Sequence, residues 1–437
     1  MMDRVSIALA NATQTKDLRL GSGVLREAGD VFAAQFPGCR PFIVCDANTW
    51  EAAGKRLSEL TGWTEKYMFP HKEFHAEWEY VEELEAVLGA AGDDAVAVAV
   101  GSGTINDLCK LVSEHLGRRY MTVATAASMD GYTSFGASIT KDGNKQTFPC
   151  KAPKAVVADV DIIAGAPSVM TAAGFADLFA KVPAGADWII ADALGIEPID
   201  PLAFGIVQDG LKDALSDPEG ARNGDPVAIR RLTEGLLLGG FAMQAYPKSS
   251  RPASGCEHQF SHLWNMRHHV MEDGTTPSHG FQVSIGSLTS LYYYDQFMKA
   301  EKSSIDIDAA VAAWPSLEDQ QAEALRRYAG TDFPRIGYNE ITAKYCSPEE
   351  LRSQLQTLLD NWDAIKERLS AQIVTPEEAK RRLALVGAPV EPEQIGLTKK
   401  QLEADVLDAQ HIRRRFTILD LTVRTGKYAE WTRNIFE

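Results

Sequence analysis

Three short segments carry side chains that could hold a metal ion. Gly174–Asp177 contributes a carboxylate, Glu257–His262 contributes two imidazoles and Ser278–Gly280 contributes another. Carboxylate and imidazole ligands suit a borderline divalent cation such as zinc, and three protein ligands leave a coordination position open for substrate. Taken singly, a histidine is more often a surface or core residue than a metal ligand. Their clustering predicts a catalytic metal centre, with Asp177, His258, His262 and His279 as candidate ligands.

The sequence around the histidines predicts two helices. Ser254–Glu257 has the pattern of a capping box, so we expect a helix from there to about Met271. His258 then lies in the first turn, where the helix dipole favours the neutral imidazole that binds metal. Thr276–Pro277 predicts the next helix start, near His279. A short connection favours antiparallel neighbours, which would bring the two histidines together.

A glycine-rich turn provides a candidate phosphate site. The apolar run Ala95–Val100 predicts a buried strand, and Gly101–Asp107 (GSGTIND) predicts a turn into a helix. Backbone N–H groups at such a helix start can bind a pyrophosphate. The match to the dinucleotide fingerprint is incomplete, because Asn106 occupies the third glycine position, and an ordinary glycine turn is the alternative. A second predicted strand, Tyr120–Ala124, ends in another polar turn, and two such strand ends form a ligand crevice.

Asp46 is a candidate for recognition of the nucleotide ribose. It follows the predicted strand Pro41–Cys45, where a carboxylate could accept hydrogen bonds from a ribose 2′-hydroxyl and repel a 2′-phosphate. The order is reversed relative to the usual arrangement, since Asp46 precedes the glycine turn. The alternative is a turn-forming aspartate.

Composition narrows the class of protein. The 437 residues are 45% hydrophobic, enough for two domains with separate cores. A net charge of −16 argues against nucleic acid or an anionic membrane as partner. Six cysteines without a CxxC pair suggest reduced thiols. With neither a signal peptide nor an apolar run of membrane-spanning length, we expect a soluble, cytoplasmic protein.

The chain changes character near residue 165. Before it, predicted strands alternate with helices, which indicates an α/β nucleotide-binding domain with a largely parallel sheet over residues 1–165. Among these strands we include Val5–Ala8, and Asp142–Gly143 predicts a hairpin. Residues 166–437 read as helices, so we predict an all-α domain for metal and substrate. The nucleotide crevice and metal centre would then share a domain cleft.

Several motifs together resemble one family. The chain is similar to sn-glycerol-1-phosphate dehydrogenases, relatives of the iron-dependent alcohol dehydrogenases, glycerol dehydrogenase and 3-dehydroquinate synthase. The resemblance covers roughly residues 20 to 425. The motifs that carry it are Gly101–Asp107, Thr125–Gly131, Lys151–Asp159, Gly174–Asp177, Ser254–His262 and Arg413–Asp420.

The resemblance implies roles for individual residues. It implies metal ligands at Asp177, His258 and His279, with His262 beside the substrate, Asp177 shared between metal and substrate, and a substrate contact at Asp130. It implies contacts to NAD, or to NADP, at these residues: Gly101, Ser102, Gly103, Thr104, Ile105, Thr125, Ser128 and Ser134.

The implied reaction interconverts dihydroxyacetone phosphate and sn-glycerol 1-phosphate. Asp177 and His262 are the candidate catalytic residues, with His262 or a water relaying the proton. Zinc, nickel and iron all suit the ligands. By position, Lys181, Arg251 and Arg267 are candidates for the substrate phosphate, while Arg413–Arg415 reads as a solvated or intersubunit face. For Lys181, four residues after Asp177, an ordinary helix ion pair is the alternative. We also expect a homo-oligomer.

Three alternatives stay open. One is a dehydrogenase for unphosphorylated glycerol or another polyol. The second is a lyase like 3-dehydroquinate synthase, which recycles its NAD within one turnover. The third is a non-catalytic nucleotide sensor.

Overall fold

A six-stranded parallel sheet forms the centre of the N-terminal region. The computed structural model describes residues 4–71 and 74–437. The strands are β1 (Asp17–Gly21), β2 (Arg40–Asp46), β3 (Lys66–Phe69), β4 (Ala95–Gly101), β5 (Met121–Ala124), β6 (Ala137–Lys141), β7 (Asn144–Phe148) and β8 (Ala155–Asp159). The sheet order is β1-β8-β5-β4-β2-β3, and β6 and β7 form a separate antiparallel hairpin.

Side chains of β4 alternate between two hydrophobic cores. Val96, Val98 and Val100 belong to one core, and Ala97 and Ala99 belong to the other. This alternation follows from the two-residue repeat of a strand whose faces are both covered by helices. All seven residues of β4 are buried, which explains why its sequence is a continuous apolar run.

The remaining regular structure is helical. Up to residue 245, the chain contains α1 (Arg4–Asn11), α2 (Ala28–Gln35), α3 (Ala47–Thr49), α4 (Lys55–Thr61), α5 (Trp78–Ala90), α6 (Gly103–His115), α7 (Val160–Ile163), α8 (Ser168–Phe179), α9 (Lys181–Ala193), α10 (Pro201–Gln208), α11 (Leu211–Ala214), α12 (Pro218–Arg222) and α13 (Pro226–Ala245). The rest of the chain contains α14 (Cys256–Met266), α15 (His279–Lys299), α16 (Ile307–Ala312), α17 (Leu317–Arg327), α18 (Ile336–Lys344), α19 (Pro348–Asp360), α20 (Trp362–Gln372), α21 (Pro376–Val386), α22 (Lys399–His411), α23 (Ile418–Arg424) and α24 (Tyr428–Phe436).

The chain forms two compact units. The first contains the chain up to Leu178, with Gly205–Ser250 and Leu385–Gly387. The second contains Phe179–Phe204, Arg251–Ala384 and Ala388–Glu437, and its core includes large aromatic side chains such as Trp264 and Trp431. The expected functional boundary between residues 165 and 166 stays a prediction. Within the described ranges, 4–71 and 74–437, we find no helix long and apolar enough to cross a membrane.

The expected fold class is confirmed: an α/β region precedes a helical remainder. The hairpin at Asp142 and Gly143 is also present, and both residues have positive φ. The predicted strand Val5–Ala8 is wrong, because these residues belong to α1, which buries Ala8. A short apolar run fits either helix or strand, and its packing decides between them.

Candidate metal centre and nucleotide-binding turns

Asp177, His258 and His279 bring their ligand atoms together. Asp177 lies in the last turn of α8, His258 in the first turn of α14, and His279 at the first position of α15. Their ligand atoms all lie within 4.8 Å of one another. A carboxylate oxygen and two imidazole nitrogens are suitable donors for a divalent cation, and three ligands leave a position open. These residues therefore fit a catalytic metal ion.

Both imidazoles are oriented by a hydrogen bond at Nδ1. His258 Nδ1 lies 2.7 Å from Glu257 Oε1, and a carboxylate favours an N–H at that position. His279 Nδ1 lies 3.0 Å from Ser261 Oγ, whose own hydroxyl donates to Gln282 Oε1, so Ser261 accepts from the ring. Each ring then carries its lone pair on Nε2. Such outer hydrogen bonds fix the tautomer and orientation of metal-binding histidines.

The carboxylate partner of His258 is deeply buried. Burial raises the pKa of Glu257 to about 7, although the Gly255 N–H bond opposes the shift. The pKa of nearby Asp187 is also raised to about 7, first by burial and then by the charge of Glu257. The charge of Glu257 therefore disfavours ionisation of Asp187.

Close helix packing brings the two histidines together. A Cβ atom at Gly286 of α15 would lie 2.5 Å from the Glu257 carbonyl oxygen, so only glycine allows this approach to α14. The His258 and His279 ring centroids are 5.1 Å apart. The expected pairing of the two histidines is present.

The predicted boundaries of these helices need correction. Gly255 is the N-cap of α14, and Ser254 instead accepts a hydrogen bond from Arg415. Helix α14 ends at Met266 and not near Met271, because the chain turns through His268, which has a positive φ. Helix α15 is capped by Ser278, whose hydroxyl accepts the Phe281 N–H.

Asp177 is fixed by the turn that follows β5. Its Oδ2 accepts a hydrogen bond of 3.0 Å from the backbone N–H of Asp130. A Cβ at Gly174, one turn earlier, would lie 1.9 Å from the Ala127 carbonyl oxygen. Glycine therefore allows α8 to lie directly against this turn and presents Asp177 to it.

His262 lies one turn after His258 on α14 and is half-buried. The compact ligand group contains His258 and His279 but not His262. Its role beside the substrate stays a prediction.

The two predicted polar turns lie side by side. Strands β4 and β5 are parallel neighbours in which Gly101 pairs with Ala124, and the Thr125 N–H donates to the Gly101 carbonyl. A Cβ at Gly101 would lie 2.6 Å from the Ile105 Cβ, so glycine is required where the strand turns into α6. The exposed first-turn N–H groups of a helix attract anions. The expected cofactor residues line these turns: Gly101, Ser102, Gly103, Thr104, Ile105, Thr125 and Ser128.

Asp46 lies at the same end of the sheet and caps a helix. Strand β2 is the neighbour of β4, with Val44 paired to Ala99. One Asp46 oxygen accepts the Thr49 N–H at 2.8 Å in a capping box. One carboxylate oxygen of Asp46 therefore has the turn-forming role that was the alternative. Ribose recognition by the carboxylate stays a prediction.

A buried lysine that the sequence did not point to holds the next loop. Lys110 of α6 donates hydrogen bonds of 3.0 Å to the carbonyl oxygens of Gly131 and Gly136. Ser134, a predicted cofactor contact, donates its hydroxyl to the same Gly131 carbonyl. A lysine on a helix has no distinguishing sequence signal, so only the fold identifies it.

Two of the expected phosphate-binding residues are engaged in structural contacts. Arg267 forms ion pairs with Asp405 and Asp408. Arg251 is fully buried, donates to the carbonyl oxygens of Asp187 and Phe416, and pairs with Glu197. Lys181 is also buried.

Arg415 instead lies beside the metal-binding helix. Its guanidinium donates to the carbonyl and hydroxyl oxygens of Ser254, two residues before the start of α14. Burial, followed by the charges of Arg251 and Arg413, lowers the pKa of Arg415 to about 9. Arg413 and Arg414 are exposed, so only Arg415 departs from the expected solvated or intersubunit face.

A cavity of about 220 Å³ lies elsewhere in the second unit and contains none of the predicted site residues. Its charged side chains already pair with one another, as Lys344 does with Asp420 at 2.8 Å. This cavity therefore contributes no residue to the candidate metal centre.

Comparison with known proteins identifies the family. The sequence profile described as iron-containing alcohol dehydrogenase matches residues 19–167. A glycerol-1-phosphate dehydrogenase [NAD(P)+] from Pyrococcus horikoshii is 31% identical over 298 residues, which cover 68% of this chain and 83% of that protein. The chain belongs to the glycerol-1-phosphate dehydrogenase family.

Another glycerol-1-phosphate dehydrogenase, from Halalkalibacterium halodurans, is 36% identical over 268 residues, covering 59% of this chain and 66% of the relative. The chain thus spans slightly less than two thirds of that relative. The structure of glycerol dehydrogenase from Schizosaccharomyces pombe has a TM-score of 0.58 at 14% identity, covering 97% of this chain and 91% of the other. At this identity the similarity shows the fold alone.

Proposed function

We propose that the chain is a metal-dependent oxidoreductase that interconverts dihydroxyacetone phosphate and sn-glycerol 1-phosphate with NAD(H) or NADP(H). The observation that carries this proposal is the convergence of Asp177, His258 and His279 on one small volume. Family membership supports the polyol-phosphate substrate and the nicotinamide cofactor.

The protein side chains would hold and orient the reactants. Asp177, His258 and His279 would bind one divalent cation, which when bound supplies positive charge to stabilise charge developing on the substrate oxygen. Glu257 keeps the His258 ring in the tautomer that presents Nε2. Asp130 would contact the substrate and, through its backbone N–H, steadies Asp177.

A proton must reach the carbonyl oxygen of dihydroxyacetone phosphate as it becomes the C2 hydroxyl. His262 would hold and deliver this proton, because an imidazole titrates near neutrality. Its half-buried position allows it to exchange protons with solvent. The same ring would remove the proton in the oxidative direction.

The two polar turns would orient the cofactor. N–H groups between Ser102 and Ile105 would bind the pyrophosphate, and Thr125, Ser128 and Ser134 would contact the rest of the dinucleotide. Asp46 would favour NAD by repelling a 2′-phosphate. The nicotinamide supplies hydride chemistry, and the protein needs to align it with C2.

Arg415 is our candidate for the substrate phosphate. Its position beside Ser254 and the start of α14 supports this role. A guanidinium matches phosphate geometry and binds it through paired hydrogen bonds.

The test is to incubate purified, metal-loaded protein with dihydroxyacetone phosphate and NADH. We expect NADH to be consumed in stoichiometric amounts and the product to be sn-glycerol 1-phosphate, as assigned with an enantiomer-specific assay. The other enantiomer would contradict the proposed stereochemistry. Equal turnover of unphosphorylated dihydroxyacetone would favour a polyol dehydrogenase, and no net NADH consumption with either substrate would favour the lyase or sensor alternatives.

A further inference from the structure

We propose that Lys110 is a positioning residue for the metal centre. Through the Met129–Gly136 loop, it would hold the Asp177 carboxylate in the orientation required for a cation. This inference rests on the proposed metal-dependent function. It concerns a side chain that lies on the nucleotide-binding helix α6 and outside the ligand group.

The Lys110 ammonium group has a complete set of partners. Its side chain is 0% exposed and pairs with Asp107 at 3.1 Å. The other two contacts are to the carbonyl oxygens of Gly131 and Gly136, each at 3.0 Å. An ammonium group has three donors, so these contacts use all of its hydrogen-bonding capacity.

The lysine fixes the loop at two points. Gly136 marks the loop end, where its N–H also donates to the Cys150 carbonyl. Gly131 lies near the loop start, and its carbonyl also accepts the Ser134 hydroxyl and the Asn106 amide. These contacts give the otherwise irregular segment a defined conformation.

The fixed end of the loop is joined directly to the metal ligand. Asp130 immediately precedes Gly131, and its backbone N–H donates to Asp177 Oδ2 at 3.0 Å. A shift of Gly131 would therefore displace the donor that orients the carboxylate. Outer contacts of this kind commonly affect metal affinity by about 10- to 100-fold.

Packing alone does not require a charge at this position. Removing an ammonium group from water is costly, and an apolar side chain of similar volume often gives equal or greater stability. Here the charge also anchors Asp107, whose second oxygen accepts the Ser138 N–H at 3.1 Å. The ion pair thus connects α6, the loop and the start of the hairpin.

The decisive variant is Lys110→Met, which preserves much of the volume but cannot donate to the loop. We expect its Kd for Zn²⁺, measured by chelator competition on metal-free protein, to rise by about 10- to 100-fold. The same increase should appear with Ni²⁺. Circular dichroism would establish that the variant is folded, and Lys110→Gln, which retains amide donors, should give a smaller increase.

Two controls separate positioning from general destabilisation. Lys344→Met removes another buried lysine, which pairs with Asp420 in the second unit, and should lower the unfolding temperature without changing the Kd for Zn²⁺. Lys110→Met combined with Asp107→Asn removes the half-buried carboxylate that has lost its ion-pair partner. It should recover stability but remain weak in metal binding.

Metal affinity within threefold of wild type in folded Lys110→Met would overturn the inference alone. Recovery of full affinity in the double variant would also overturn it, because loop anchoring would then be unnecessary. Failure of the wild-type protein to bind one metal ion would overturn the proposed function and the inference together.

Discussion

At the residue scale, the two histidines of α14 differ in their surroundings. His258 belongs to the compact ligand group and receives orientation from Glu257, whereas His262 stands outside that group. If His262 were a fourth ligand, the metal would lack an open position for substrate. Metal content and turnover should therefore respond differently to replacing each residue.

We predict that His258→Ala abolishes stoichiometric metal binding and activity together. His262→Ala should retain the metal and bind NAD normally, but lose about 10²- to 10⁴-fold in kcat, as is typical for loss of a general acid or base. Metal analysis and kinetics on the same preparations test both statements. Equal metal loss in the two variants would contradict the assignment of His262.

Asp46 combines a structural and a proposed functional role. We predict that Asp46→Asn changes the ratio of kcat/KM for NADPH over NADH by at least about tenfold in favour of NADPH, because it removes the charge facing a 2′-phosphate. Asparagine is a good N-cap, so the Thr49 hydrogen bond should survive. An unchanged ratio, together with normal thermal stability, would limit Asp46 to capping α3.

Adjacent arginines provide a matched test of phosphate binding. We predict that Arg415→Gln raises the KM for dihydroxyacetone phosphate by about 10- to 100-fold, since a hydrogen bond to a charged group contributes about 1.5–3 kcal/mol. Arg414→Gln should have little effect, because Arg414 is exposed and pairs with Glu340. Activity with unphosphorylated dihydroxyacetone is the internal control. A parallel loss with both substrates would show that Arg415 supports the fold.

At the element scale, the approach of α8 to the turn after β5 depends on one glycine. A methyl group at Gly174 would meet the Ala127 carbonyl oxygen at 1.9 Å, and neither backbone can yield without moving the other. Asp177 lies one turn further along the same helix. Its orientation is thus coupled to a close contact between backbone segments.

We predict that Gly174→Ala lowers the free energy of unfolding by about 1–3 kcal/mol, the usual cost of overpacking, and weakens metal binding. Gly89→Ala is the control. Its added methyl group would meet nothing within 4 Å, and alanine should stabilise α5 by about 0.5–1 kcal/mol. Urea titration and metal affinity measure the two effects. Normal metal binding by Gly174→Ala would show that α8 adjusts without moving Asp177.

At the scale of the whole molecule, stability should depend on pH through a buried histidine. Burial lowers the pKa of His411 to about 4, and the charges of Lys344 and Arg327 act in the same direction. Its unfolded pKa is about 6.5. Between these values the unfolded chain takes up a proton that the folded protein excludes.

We predict that neutral His411 contributes to the free energy of unfolding by an amount that is fully present above about pH 6.5 and is lost as pH falls to about 4. The upper limit of this contribution is about 3 kcal/mol. His411→Gln should flatten the curve of unfolding free energy against pH in this interval. An identical slope in wild type and His411→Gln would remove His411 as the cause.

Local sequence patterns determined much of the fold. The apolar run of β4, the glycine turn before α6 and the Asp142–Gly143 hairpin were all predictable because neighbouring residues along the chain fix strand burial and turn conformation. The spacing of His258 and His279 likewise predicted their pairing across two helices. At Val5–Ala8, local pattern was insufficient, since that run fits two periodicities and its tertiary packing selects the helix.

Tertiary structure decided which charged side chains support the site. Arg267 pairs with Asp405, and Arg251 pairs with Glu197. Two residues expected to bind the substrate phosphate therefore form ion pairs between segments that are far apart in sequence. Lys110 was identified only by its burial under the Gly131 loop. The sequence by itself determines which charged side chains are present. Their burial and hydrogen-bond partners determine the energy of each charge, and both arise only when segments distant in sequence meet.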